Sequence, residues 1–129
     1  NGVGPWKIRL NPEPQIQTHM NVNVRLFKTS DEEPVVALWE ACDLIRPWND
    51  PFKDIQFCRE SRHGEIFVGK EDDKLISSVM VGHDGHRGWL YYLAVSPPHR
   101  RWGLGREMVS AAEKWLKERD VPKAELMVH

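Results

Sequence analysis

The chain is poor in cysteine, nearly without net charge, and free of long apolar runs. Its two cysteines, Cys42 and Cys58, form no CxxC pair and have no companions at metal-ligand spacing. A disulfide-stapled secreted scaffold is therefore not indicated, and a reducing cytoplasm is the expected location. Lysine and arginine number 18 against 19 aspartates and glutamates, interspersed, for a formal net charge of −1. That balance argues against an extended basic face, so neither nucleic acid nor an anionic membrane is an expected partner, and any anion site has to be local. No segment approaches about 20 apolar residues, and the N-terminus lacks the charged-then-apolar order of a secretory signal.

At 129 residues the chain has the size of one domain with one core. Residues 1–19 carry Pro5, Pro12 and Pro14, are mostly polar and offer only "WKIRL" as a weak strand. They read as an N-terminal extension ahead of a domain over residues 20–129. "NVNVRLF" alternates as a first strand, with Val22, Val24 and Leu26 on one face. Ser30 with Glu33 is a capping-box pattern, and Val35, Leu38, Trp39 and Cys42 follow at helical spacing. Pro47 and Pro51 interrupt that helix, and a second short one runs through Ile55 and Cys58. Three antiparallel strands follow at 66–70, 75–81 and 89–95, the first two joined at Asp72-Asp73. Leu104, Met108, Ala112 and Trp115 then form the apolar stripe of a third helix, and "KAELMVH" reads as a last strand. The order is β-α-α-β-β-β-α-β, a mixed α/β layer fold.

Between the fourth strand and the third helix lies "SPPHRRWGLGREMV". Glycines where a strand gives way to a helix let backbone N–H groups approach a ligand, and the helix start adds about half a positive charge. Arg100, Arg101 and Arg106 add formal charges, so the turn suits a diphosphate. "GLG" lacks the third glycine of a dinucleotide fingerprint, and no GK[ST] of a Walker loop is present.

What fits is R-x-x-G-x-G, here Arg100, Arg101, Trp102, Gly103, Leu104 and Gly105, preceded by "LAVSP" and followed by an amphipathic helix. The pattern resembles the acetyl-CoA signature of the GNAT superfamily of N-acetyltransferases, and the resemblance covers about residues 22–129. "LWEACDLIRPWNDP" and "GHDGHRGWLYYLAV" further resemble the YpeA-like bacterial group of that superfamily. The resemblance implies a mostly antiparallel sheet flanked by helices and acetyl-CoA as acetyl donor. It also implies diphosphate contacts from Arg100 to Gly105 with Arg106 at the helix start. Backbone groups of Leu93, Ala94 and Val95 would then pair with the pantetheine amides. The implied reaction is acetyl transfer to a primary amine of a small molecule or protein.

Such a transfer needs a proton acceptor and donors for a tetrahedral oxyanion. The resemblance assigns the oxyanion to backbone N–H groups near Leu93 and Ala94. Candidates for the proton are Tyr91, Tyr92, Asp84 and Glu40, with Asp50 a further carboxylate, and strand alternation puts only one of the two tyrosines in the cleft. Trp48, Asn49, Asp50 and His83 are candidates for the acceptor site. His83 and His86 with Asp84 between them are too loosely spaced to read as a metal site, and none is expected. A GNAT domain ordinarily continues beyond this last strand with a helix, whose tyrosine protonates the CoA thiolate, and two more strands. This chain stops at His129, so truncation of a longer protein or pairing of the exposed last strand in a homodimer is expected. The rival functional reading is a non-catalytic CoA-binding or dimerisation module.

Overall fold

The computed structural model describes residues 22–121 and 123–126. The expected extension over 1–19 and residues 127–129 of the expected last strand lie outside the described residues. Within them the chain runs β1 (Val22–Leu26), α1 (Glu32–Ala41), α2 (Pro51–Glu60), β2 (Gly64–Glu71), β3 (Lys74–His83), β4 (Arg87–Val95), α3 (Leu104–Glu118) and β5 (Lys123–Leu126). The strands form one sheet in sequence order, antiparallel from β1 to β4, with β5 parallel to β4. The expected element order and mixed sheet are present.

Two apolar layers sandwich the sheet. Trp39, Ile55, Ile66, Val68 and Tyr92 belong to the layer under α1 and α2, while Val79, Val81, Leu90, Met108 and Trp115 belong to the layer under α3. Six consecutive residues of β3, Ile76 through Val81, are buried, as a central strand covered on both faces requires. Alternation in β2 follows the same plan: Ile66 and Val68 face α1 and α2, and Phe67 faces α3. The β2–β3 hairpin closes through Asp72-Asp73, with Glu71 opposite Lys74 and Asp72 at φ +55°.

Two local expectations are corrected. Ser30 does not cap α1: a 3₁₀ turn over Thr29–Asp31 precedes the helix. Asp31 instead folds its carboxylate back, accepting from the Lys28 N–H at 2.8 Å and from the Arg25 guanidinium at 2.8 and 3.1 Å. Burial would raise its pKa, but these donors outweigh burial and hold it below the usual carboxylate range. Leu26, expected on the apolar face of β1, is half exposed, because it ends an edge strand while α3 packs over β2, β3 and β4.

Candidate active site

The site begins with an irregularity in β4. Between the pairs Ser78–Ala94 and Met80–Tyr91, one residue of β3 faces two of β4, Tyr92 and Leu93. This is a β-bulge, and Tyr92 takes the left-handed φ of +52° that the extra residue demands. The bulge breaks the two-residue period, so Tyr91 and Tyr92 both pack on the α1–α2 side while Leu90 and Leu93 share the α3 side. The extra residue, and not the simple alternation expected, therefore decides where each tyrosine lies: both are on one side of the sheet, Tyr92 in the core and Tyr91 beside it.

Buried groups hold the bulge in place. The Ser78 hydroxyl, fully buried, donates to the Tyr92 carbonyl at 2.9 Å and accepts from the Trp39 indole N–H at 2.8 Å. The Tyr92 ring stacks on Trp39 with centroids 3.7 Å apart, and its hydroxyl donates to Asp54 of α2 at 2.6 Å. Burial and the adjacent Asp54 carboxylate raise the Tyr92 pKa well above its ordinary value. Tyr92 is thus a buried strut that keeps its proton, which corrects its candidacy as the base.

Beyond the bulge the strand edge opens. Among the described residues β4 pairs with β5 only from Arg87 to Leu90, so residues 91–95 have a sheet partner on the β3 side alone. Among the described residues, Leu93, Ala94 and Val95 therefore have no strand neighbour on the side away from β3, where an amide-bearing arm can add as a strand would.

This edge runs into the turn. Pro97–His99 forms a single 3₁₀ turn, His99 is buried with its ring 4.7 Å from that of Trp102, and its Nε2 lies 3.1 Å from Glu71. Gly103 then takes φ +82° as N-cap of α3 and provides no side-chain cap, leaving the first-turn amides of the helix to another acceptor. Gly105 has a different significance. A Cβ there would meet only Val95 Cγ2 at 3.9 Å, so packing does not demand glycine in a helical turn where alanine is favoured by about 1 kcal/mol.

The three arginines separate. Arg101 and Arg106 are exposed, and neither has an ion-pair partner among the described residues. Arg100 is exposed as well, but its side chain is engaged, with Nε donating to the Val95 carbonyl at 3.1 Å and Nη2 lying 3.5 Å from the Cys42 sulfur. The same carbonyl accepts from the Cys42 thiol at 3.3 Å. Arg100 thus ties the end of β4 to the end of α1, and the half-buried Trp102 packs on His99.

On the other side of the bulge lies a cavity of about 300 Å³ between the end of α2 and β3–β4. Tyr91 and His83 line it, together with Trp89, Met80, Phe57 and His63. His83 Nδ1 accepts from the Gly85 N–H at 3.0 Å, so a neutral ring carries its proton on Nε2. Burial first, then the charges of His63 and Arg119, lower its pKa against the pull of Asp84.

The remaining candidates are elsewhere. Asp84 is exposed, its carboxylate accepting from the N–H groups of Arg87 and His86 at 2.8 and 2.9 Å; these bonds lower its pKa, and its role is to build the β3–β4 turn. Asp50 caps α2 by accepting from the Phe52 and Lys53 amides. Glu40 is exposed on α1, Trp48 is 80% exposed in the α1–α2 loop, and the half-buried Asn49 donates its backbone N–H to Arg46. None of these lines the cavity. Ser78, Asp54, Phe57, Met80 and His63 carry no signal in the sequence, since each depends on which strand register and helix face brings it to the bulge.

Comparison with known proteins converges on this geometry. Residues 32–129 match the model of the "Acetyltransferase (GNAT) family". An acetyltransferase of Pectobacterium atrosepticum is 45% identical over 109 residues, 83% of this chain and 76% of that protein. Among solved structures, an aminoglycoside acetyltransferase from an uncultured soil metagenomic sample, solved with sisomicin, superposes with TM-score 0.71 at 15% identity over 85% of this chain and 79% of that one. A predicted acetyltransferase of Clostridium acetobutylicum, solved with acetyl-CoA, gives TM-score 0.71 at 15% identity over 83% and 80%. The two structures share the fold, and with the sequence matches behind it the chain belongs to the GNAT family of acetyltransferases.

Proposed function

We propose that this acetyltransferase transfers the acetyl group of acetyl-CoA to a primary amine, with the diphosphate on the first turn of α3 and the pantetheine arm along residues 93–95 of β4. The observation that carries this reading is the continuity of the two: a strand edge open among the described residues leads directly to a helix start without a side-chain cap, whose second residue, Gly105, is not required by packing. Arg101 and Arg106 supply the charge for the phosphates.

Bound acetyl-CoA supplies a thioester carbonyl: the amine nitrogen bonds to its carbon, the C–S bond breaks, the nitrogen loses a proton and CoA leaves as thiol. The chain's part is to hold and polarise. The bulge interrupts the ladder between Ala94 and Tyr91, and we assign N–H groups near Leu93 and Ala94 to the developing oxyanion. Of the five side chains considered for the proton, Tyr91 lines the cavity beside the bulge and is the one we assign to it, directly or through water. The reading extends to a reducing compartment, in keeping with the free thiols of Cys42 and Cys58, and to pairing of β5, at the sheet edge among the described residues, with a second copy.

Titration calorimetry with acetyl-CoA, followed by thiol release with amines present, tests the reading. One-to-one binding with amine-dependent release of CoA thiol is expected. Binding without release across an amine panel would favour a non-catalytic CoA-binding module, and no binding by the folded chain would overturn the site.

A further inference from the structure

The cavity beside the bulge has a chemistry of its own. At about 300 Å³ it lies at the small end of ligand sites and suits one ring with a short arm. Phe57, Met80, Trp89 and Tyr91 give it aromatic and thioether walls, and no Asp, Glu, Lys or Arg lines it among the described residues. Two carboxylates of the elements that line it are engaged elsewhere: Asp54 accepts the Tyr92 hydroxyl, and Glu65 accepts the N–H of Ile66 at 3.1 Å. A polycationic amine placed here would set its ammonium groups against walls with no carboxylate among the described lining residues, a penalty that an apolar body avoids. Phe57 is 79% exposed at the rim, positioned as a contact that an aromatic guest would cover.

We propose that this cavity is the acceptor pocket and that it takes a small monoamine with an aromatic or apolar body and no second charge. Met80 pairs with Tyr91 directly beside the bulge, so an amine seated in the cavity reaches the open edge of β4 without crossing the sheet. Burial, the first cause of the lowered His83 pKa, disfavours the charged form of that ring beside the amine. The acceptor role rests on the acetyl-CoA reading above, whereas the ligand class rests on the cavity lining alone.

Ligand-observed NMR on the full chain, with phenethylamine and spermidine as probes and acetyl-CoA titrated separately, tests both parts. Phenethylamine should bind at least about tenfold more tightly than spermidine. Phe57→Ala, on the helix surface where folding is not at stake, should weaken phenethylamine by about fivefold, the size of one aromatic contact, with acetyl-CoA affinity unchanged. Phe57→Glu should narrow the preference by drawing spermidine in. Spermidine binding as tightly as phenethylamine, absent phenethylamine binding, or indifference to Phe57→Ala would overturn the ligand class, and acetyl-CoA binding in that sample would leave the cofactor turn standing. Phenethylamine binding without acetyl-CoA binding would keep the ligand class and remove the acceptor role.

Discussion

Arg101 and Gly105 are two positions where local conformation and ligand chemistry pull in opposite directions. Arg101 holds a left-handed φ of +74°, a conformation that strains a residue bearing Cβ by about 1–3 kcal/mol and suits glycine. Arg101→Gly should therefore leave the melting temperature level or raise it, while removing a charge-assisted contact should weaken acetyl-CoA by about tenfold or more. Gly105→Ala is the complementary case. The new methyl meets only Val95 at ordinary contact distance, so the helix should gain about 0.5–1 kcal/mol and a few degrees of melting temperature. Acetyl-CoA affinity should fall at the same time, because in the proposed site the methyl would stand in the path of the diphosphate. Parallel melting curves and calorimetric titrations of both variants would read the split; a loss of stability together with affinity would assign the residues to the fold instead. Arg100 provides the contrast: its guanidinium is engaged with Val95 and Cys42, so Arg100→Ala should act mainly through the end of β4.

At the scale of elements the decisive feature is the bulge, and the sequence contains no sign of it. Every strand and helix was legible, because apolar periodicity marks Ile66 and Val68 as one face of β2 and Leu104, Met108, Ala112 and Trp115 as one face of α3. The turn was legible because glycine and arginine cluster where strand meets helix. An inserted residue in "LYYLA" leaves composition unchanged and is visible only when Leu90 and Leu93 are found on one side. Its support comes from residues 39 and 78, distant in sequence and joined only by the fold. Ser78→Ala tests that support: it leaves the Trp39 N–H and the Tyr92 carbonyl each short of a buried partner, a loss of about 2–4 kcal/mol. The melting temperature should drop by roughly 10 °C, and turnover should fall further than acetyl-CoA affinity, because in the proposed site the oxyanion donors depend on the bulge and the phosphates on the α3 turn. Equal losses in both would mean that Ser78 acts on the whole sheet.

Over the whole molecule, two acidic protons buried under α1 and α2 set how the fold responds to alkali. Burial, reinforced by Glu65, pushes the Cys58 thiol up to about 12 from an ordinary value near 9, and burial with Asp54 raises Tyr92 above its ordinary 10. Below pH 9 the folded and unfolded chains both hold these protons, and neither group makes stability depend on pH. As pH rises through 9 and then 10, the unfolded chain releases them while the folded chain retains them, so folding weakens by up to about 1.4 kcal/mol per pH unit for each group. Urea unfolding at pH 8 and pH 10.5 should register this as a marked fall in stability. Tyr92→Phe should be less stable than the parent at pH 8, having lost the bond to Asp54, yet should lose less between the two pH values because one of the two protons is gone. Alkylation at pH 8 should agree, with Cys58 inert in the folded chain and reactive once urea exposes it. A Tyr92→Phe slope equal to the parent's, with Cys58 labelled in the native state, would mean that the layer under α1 and α2 is open to water, and the strut beneath the bulge would lose its physical basis.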